Sequence, residues 1–191
     1  IKKIAPLVGI GFAAVAASAS LKLLSLHADG TGMPQEYISP WLEVSRQSLW
    51  PFVEIQDYSL SVGFLVDRLN LLMITVVTTI TFFVQLFSFY YMAKDESRSR
   101  YFGFLSFFSF AMTGLVLSTN LLQTFLFWEL VGLASYLLIG FWYQKPAAAT
   151  AARKAFVINR LADLGFYLGI LLLFMLFGTV DFLKLEQGAL T

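Results

Sequence analysis

The sequence predicts an all-α membrane protein, a polytopic bundle of about five transmembrane helices. Of its 191 residues, 58% are hydrophobic and only 13% charged, about half the charged share of a soluble domain. Mean hydropathy is +0.74. Apolar runs long enough to cross a hydrocarbon layer of about 30 Å recur along the chain, separated by short polar links. Phe occurs 20 times, without the strict alternation of a β-barrel. A net charge of +1 points to neither nucleic acid nor an acidic substrate. These residues contain no cysteine, so disulfides, thiol chemistry and cysteine-ligated clusters are excluded within them.

The first span is expected over 4–24, where the Ala, Gly and Ser of GIGFAAVAASAS allow close helix approach. Residues 26–68 form an extracytoplasmic loop punctuated by Gly30, Gly32, Pro34, Pro40 and Pro51. Weak alternation over 50–55 and 58–64 suggests a hairpin turning at Gln56-Asp57. His27 has no second ligand type at metal spacing and reads as a surface histidine. The second span covers 69–92 and opens at Asp67-Arg68, the aspartate favoured by the helix dipole.

Lys94 to Arg100 is a charged loop, and the third span follows over 101–117. Ser118-Thr119-Asn120 makes a tight link that supplies N-cap residues for the fourth, 121–142. Lys145-Pro146 stops that helix, and Pro146 suits the first turn of a new one. The fifth span enters the membrane near Phe156, after an Ala-rich amphipathic turn, and runs to Phe177. The membrane segment carrying the site thus covers 69–178, and 179–191 is a polar tail. The chain starts without a methionine and is read as an N-terminal fragment. Alternating sides gather Lys2, Lys3, Lys94, Arg98, Arg100, Lys145, Arg153 and Lys154 on one face. That face is cytoplasmic, matrix or stromal by the positive-inside rule, and Tyr and Trp residues cluster beside it.

Three charged residues stand out inside these spans. Glu129 lies about midway along the fourth, where a charge costs on the order of 2.5–3.5 kcal/mol even on an insertion scale. Glu129, Gly132, Tyr136 and Gly140 share one helical face, as a carboxylate packed against another helix requires. On the fifth span Arg160 and Asp163 sit at i, i+3 and can pair directly. No cation on its own helix reaches Glu129, so its partner must come from another helix or from chain beyond these residues. A carboxyl so placed suits proton transfer, with Arg160 and Asp163 as a charged pair that tunes or relays protons. The alternative for the pair is a purely structural ion bridge. There is no phosphate loop, no metal-ligand spacing and no Ser/His/Asp set.

These residues carry a resemblance. LFWELVGLASYLLIGFWY, then KPAAATAARKAFVINRLADLGFYLGIL, resembles the antiporter-like L subunits of bacterial respiratory complex I. The mitochondrial counterpart and the F subunit of the cyanobacterial and chloroplast enzyme are similar, as are the stretches YYMAKDESRSRYFGFLSFFSFAM and FLVDRLNLLM. The likeness runs from about Trp50 to Phe182, while 1–49 agree only in hydropathy and length.

The resemblance implies a fragment of a larger antiporter-like fold in a proton-translocating membrane-arm subunit of NADH-quinone oxidoreductase. Glu129 would be the family's essential glutamate, and Arg160 and Asp163 its charged pair on the next helix. Ala162 departs from the usual Gly and should tighten packing. The resemblance places no cofactor here and assigns NADH, flavin, iron–sulfur clusters and quinone to other subunits. Partners would be the other complex I membrane subunits and the bilayer, and protons the transported ion. The location would be a bacterial plasma membrane rather than a mitochondrial or thylakoid one. Multi-subunit cation/proton antiporters and inorganic-carbon uptake complexes share the fold and are the alternatives, beside a purely structural scaffold.

Overall fold

The computed structural model describes residues 4–27, 35–44 and 58–189. Six helices are present among them: α1 (Ile4–Leu26), α2 (Arg68–Tyr91), α3 (Arg98–Val116), α4 (Leu121–Ile139), α5 (Pro146–Phe177) and α6 (Phe182–Ala189). An antiparallel pair, β1 (Gln35–Val44) and β2 (Tyr58–Val66), lies between α1 and α2. α1 packs on α2, α3 packs on α1, α2 and α4, and α5 packs on α4. Four helices, α1 from Pro6, α2, α4 and α5, are long and apolar enough to cross a membrane. α3 matches α4 at 19 residues but begins with Arg98 and Arg100 and interrupts its apolar surface with Ser, Gly and Thr.

Local chemistry explains the boundaries. Asp67 caps α2 by accepting the Asn70 N–H at 2.6 Å, and Asn120 caps α4 by accepting that of Gln123 at 2.8 Å. Pro146 stands in the first turn of α5, where a missing N–H costs nothing. Gly178 closes α5 at φ +68°, which glycine adopts without strain. Several boundaries differ from expectation. α3 begins at Arg98 rather than 101, inside the expected charged loop, and α6 occupies the expected polar tail. α4 ends at Ile139 rather than 142, since Gly140 begins the turn into Lys145-Pro146. α5 is one unbroken helix from Pro146, because its Ala-rich turn has high helix propensity; 32 residues give it a length of about 48 Å.

The strand pairing also differs. The expected strand 50–55 and the turn at Gln56-Asp57 lie outside the described residues. Tyr58–Val66 is a strand, but its partner is Gln35–Val44, with Tyr58 opposite Val44 and Val66 opposite Gln35. The connection therefore spans 45–57 instead of two residues. Pro40 concealed β1, since proline demotes a strand, and the register shifts between Pro40 and Leu42.

The two ends of the bundle are tied differently. At one end Leu65 N–H donates to Leu117 O at 3.0 Å, Leu121 N–H to Val180 O at 2.9 Å, and Phe182 N–H to Thr119 O at 3.1 Å. Gln123 acts there as a substitute strand edge: its Nε2 donates to Gly63 O at 2.9 Å, and its Oε1 accepts the Gly63 N–H at 3.2 Å. At the charged end Trp142 Nε1 donates to Asp95 Oδ2 at 2.9 Å, and Arg100 Nη2 donates to Phe141 O at 3.1 Å. Between the ends, Gly114 opens a slot on α3 that the Phe127 ring of α4 occupies.

Candidate charged site between α4 and α5

α4 and α5 run antiparallel with their small residues interleaved. Gly140 faces Ala152, where an added methyl would lie 3.2 Å from the Ala152 Cβ. One turn on, the rings of Tyr136 and Phe156 are 5.5 Å apart. Gly132 then faces Asn159, and Phe125 meets Phe166 at 5.7 Å and Tyr167 at 5.8 Å. The glycine-bearing face of α4 read from the sequence is thus the face against α5. Its small residues let the helices approach where the charges sit.

Arg160 Nη1 donates to Glu129 Oε2 across this interface, making an ion pair between the helices. The Glu129 side chain is 20% exposed and that of Arg160 is 53% exposed, so the pair lies at the edge of the interface. Arg160 also lies over the Phe156 ring, 5.3 Å from its centre. Asp163, one turn further along α5, is buried and accepts the Trp128 indole N–H at 2.8 Å. The Trp128 ring packs edge-on against Phe166 at 6.0 Å, which fixes that donor.

The geometry corrects the expected pairing. Arg160 pairs with Glu129 instead of Asp163, because the antiparallel packing brings a carboxylate on α4 level with it. Asp163 is turned into the interface toward Trp128. Among the described residues Glu129 pairs with Arg160 of α5, whereas the expectation left its partner open between another helix and chain beyond these residues. Trp128 is the member that sequence reasoning missed, because only the packing of α4 on α5 brings its indole to Asp163. Ala162 is exposed, so its methyl tightens no contact among the described residues.

Chemically, the site holds one carboxylate on each helix, an arginine one turn from the α5 carboxylate, and one indole donor, inside an apolar helix pair. Groups of these kinds, set close together, are those that exchange an ion-pair partner for a proton in general acid–base chemistry. Fold and site together define a class: polytopic membrane subunits with titratable groups set between two spans.

Comparison with known proteins narrows the class. Residues 50–102 match the model of the NADH-ubiquinone oxidoreductase (complex I) chain 5 N-terminus. Residues 118–190 match that of the NADH:quinone oxidoreductase/Mrp antiporter transmembrane region. The chain belongs to this family of complex I chain 5 and Mrp antiporter-like membrane subunits. It is similar to the chloroplastic NAD(P)H-quinone oxidoreductase subunit 5 of Carpenteria californica, 48% identical over 141 residues, 74% of this chain and 19% of that protein. The same subunit of Marchantia polymorpha is 47% identical over 139 residues, 73% of this chain and 20% of that protein. The chain thus spans about a fifth of the length of these relatives.

Among solved structures, the Mrp complex from Dietzia sp. DQ12-45-1b has a chain similar in fold, with a TM-score of 0.68 at 20% identity, covering 94% of this chain and 31% of that one. A chain of the archaeal membrane-bound sulfane sulfur reductase gives 0.62 at 18%, covering 96% and 38%.

Proposed function

We propose that this chain is part of a proton-translocating membrane-arm subunit of an NAD(P)H-quinone oxidoreductase, with Glu129 as its proton-transfer group. The inter-helix pair of Arg160 with Glu129, beside the buried Asp163, carries this reading. Arg160 is the ion-pair partner of Glu129. A proton reaching Glu129 neutralises it and frees the guanidinium, and Asp163, one turn away on the same helix, is the next carboxylate in reach. Proton movement is thereby coupled to a change of ion-pair partner. Flavin, iron–sulfur and quinone chemistry is assigned to other subunits of the complex, and the neighbours of this chain are its membrane subunits. A bacterial plasma membrane is proposed on the family resemblance alone, the relatives named above being chloroplastic.

The test is NAD(P)H-driven acidification of inverted vesicles carrying the full-length subunit, wild type beside Glu129→Gln and Asp163→Asn. Glu129→Gln is expected to lower the rate by at least about tenfold while complex content and reduction of an artificial acceptor persist. Asp163→Asn should do less, since its carboxylate is held by Trp128. Unchanged acidification in Glu129→Gln would refute the assignment. The match to the Mrp antiporter region favours a cation/proton antiporter as the second reading. It takes over if wild-type vesicles exchange cations for protons but NAD(P)H drives nothing.

A further inference from the structure

A cavity of about 300 Å³ opens among α3, α4 and α5 at the charged-loop end of the bundle, apart from the Glu129 pair. Gly140, Ala149 and Ala152 line it, where larger side chains would fill the space. Two guanidinium groups also line it, Arg100 from α3 and Arg153 from α5. Arg100 is held in place by its bond to Phe141 O at 3.1 Å and by the rings of Phe141 and Tyr143, whose centres lie 5.0 Å and 5.4 Å away. Most of its five N–H donors remain unused. Arg153 has no hydrogen bond or ion pair among the described residues. No carboxylate lines the cavity among them. Asp95, whose charge Arg100 acts on, is already engaged by the Trp142 indole and the Ser97 N–H. No side chain caps the start of α5, so its first-turn N–H groups add positive potential beside Ala149.

We propose that this cavity binds the phosphate of an anionic phospholipid, whose acyl chains lie along α3 and α4. The planar guanidinium forks of Arg100 and Arg153 donate to the phosphate oxygens, a geometry that arginine matches with paired bonds. Basic pockets between spans on the cytoplasmic side recognise anionic headgroups in this way. The level is right for a headgroup, because α4 ends at Ile139 and α5 begins at Pro146, with Trp142 and Tyr143 between them as interfacial aromatics. The remaining walls are apolar and point to a lipid rather than a free anion. Phe104 stands one turn beyond Arg100 on α3, and Leu137 lines the cavity from α4. Leu133, one turn nearer the middle of the span, is 39% exposed and carries that apolar surface onward. A zwitterionic lipid fits less well, since its ammonium would meet the same two cations.

Photolabelling of the assembled complex in phosphatidylcholine nanodiscs tests this. The probes are phosphatidylglycerol and phosphatidylcholine carrying the same diazirine on one acyl chain, and labelling is read by mass on the α4 peptide of this subunit. Phosphatidylglycerol is expected to label it at least about fivefold more than phosphatidylcholine. Arg153→Gln should remove most of that preference with complex content unchanged, whereas Lys154→Gln, one residue on and outside the cavity, should leave it in place. Ala149→Leu, which fills the cavity, serves if Arg153→Gln fails to assemble. Equal labelling by the two probes overturns the proposal, and so does the same loss in Lys154→Gln, which would mean general surface charge. No labelling of the peptide means that a neighbouring subunit covers the cavity, and overturns it too. Excess inorganic phosphate, against chloride of equal ionic strength, should leave the preference intact; its loss would mean a site for free anions instead of lipid. Labelling is read without NAD(P)H and bears on the cavity alone, so it fails independently of the role of Glu129.

Discussion

Arg160 reaches across to α4 rather than along its own helix, and that choice organises the site. The sequence shows Arg160 and Asp163 one turn apart, and helical geometry permits their pairing. It cannot show which way each side chain leans, because that depends on the register between α4 and α5. The register is set by contacts such as Gly140 on Ala152 and Tyr136 on Phe156, tens of residues apart in sequence. The identity of the charged residues was therefore legible, and their partners were not. Trp128 carries a consequence of the real arrangement. Its indole N–H is a donor to a buried carboxylate, so Trp128→Phe leaves Asp163 short of a partner while keeping an aromatic ring in place. We expect a loss of about 1–3 kcal/mol, read as earlier thermal dissociation of the subunit from the purified complex. Asp163→Asn added to Trp128→Phe should recover part of it, because a neutral amide is cheaper to leave under-bonded. Equal stability of Trp128→Phe and wild type would show that the bond contributes nothing.

At the scale of elements, helix positions followed from apolar runs and caps, but the links between helices hold more structure than a polar loop implies. In the 92–97 link, Asp95 Oδ1 accepts the Ser97 N–H at 2.7 Å and its Oδ2 accepts the Trp142 indole. The Trp142 bond first, then the Ser97 N–H, hold the Asp95 carboxyl below its ordinary value; burial opposes them, and the Arg100 charge adds the smallest lowering effect. A carboxyl whose value is lower folded than unfolded adds stability above the unfolded value of about 3.9. That contribution disappears as pH falls through the lowered folded value. The link should therefore stay protected from hydrogen exchange from neutral pH down to about pH 4 and open only under stronger acid. Asp95→Asn should exchange faster at neutral pH and lose the acid-dependent step. If both proteins share one pH profile, the clamp is not what orders this link. The strand pair shows the opposite difficulty: β2 announced itself by alternation, while β1 was hidden by Pro40, and only tertiary pairing identifies it.

At the scale of the whole molecule, the number of crossings decides which face of the membrane each site meets. Length and apolarity single out four helices, whereas an antiparallel bundle with α3 packed among them makes five. The two counts differ in one observable. Lys94 follows two crossings in either case, α1 and α2. Glu186, in α6, follows five crossings if α3 spans and four if it does not, so the two residues lie on opposite faces or on the same face. The ends of the bundle favour opposite faces. Asp95 and Trp142 tie the charged end, while Thr119 and Val180 bring the α3–α4 link and the start of α6 together at the other. Lys94→Cys and Glu186→Cys are both at exposed positions outside the spans. An impermeant maleimide should modify Lys94→Cys from the cytoplasmic or stromal side and Glu186→Cys only from the opposite side. Modification of both from one side would mean that α3 does not cross.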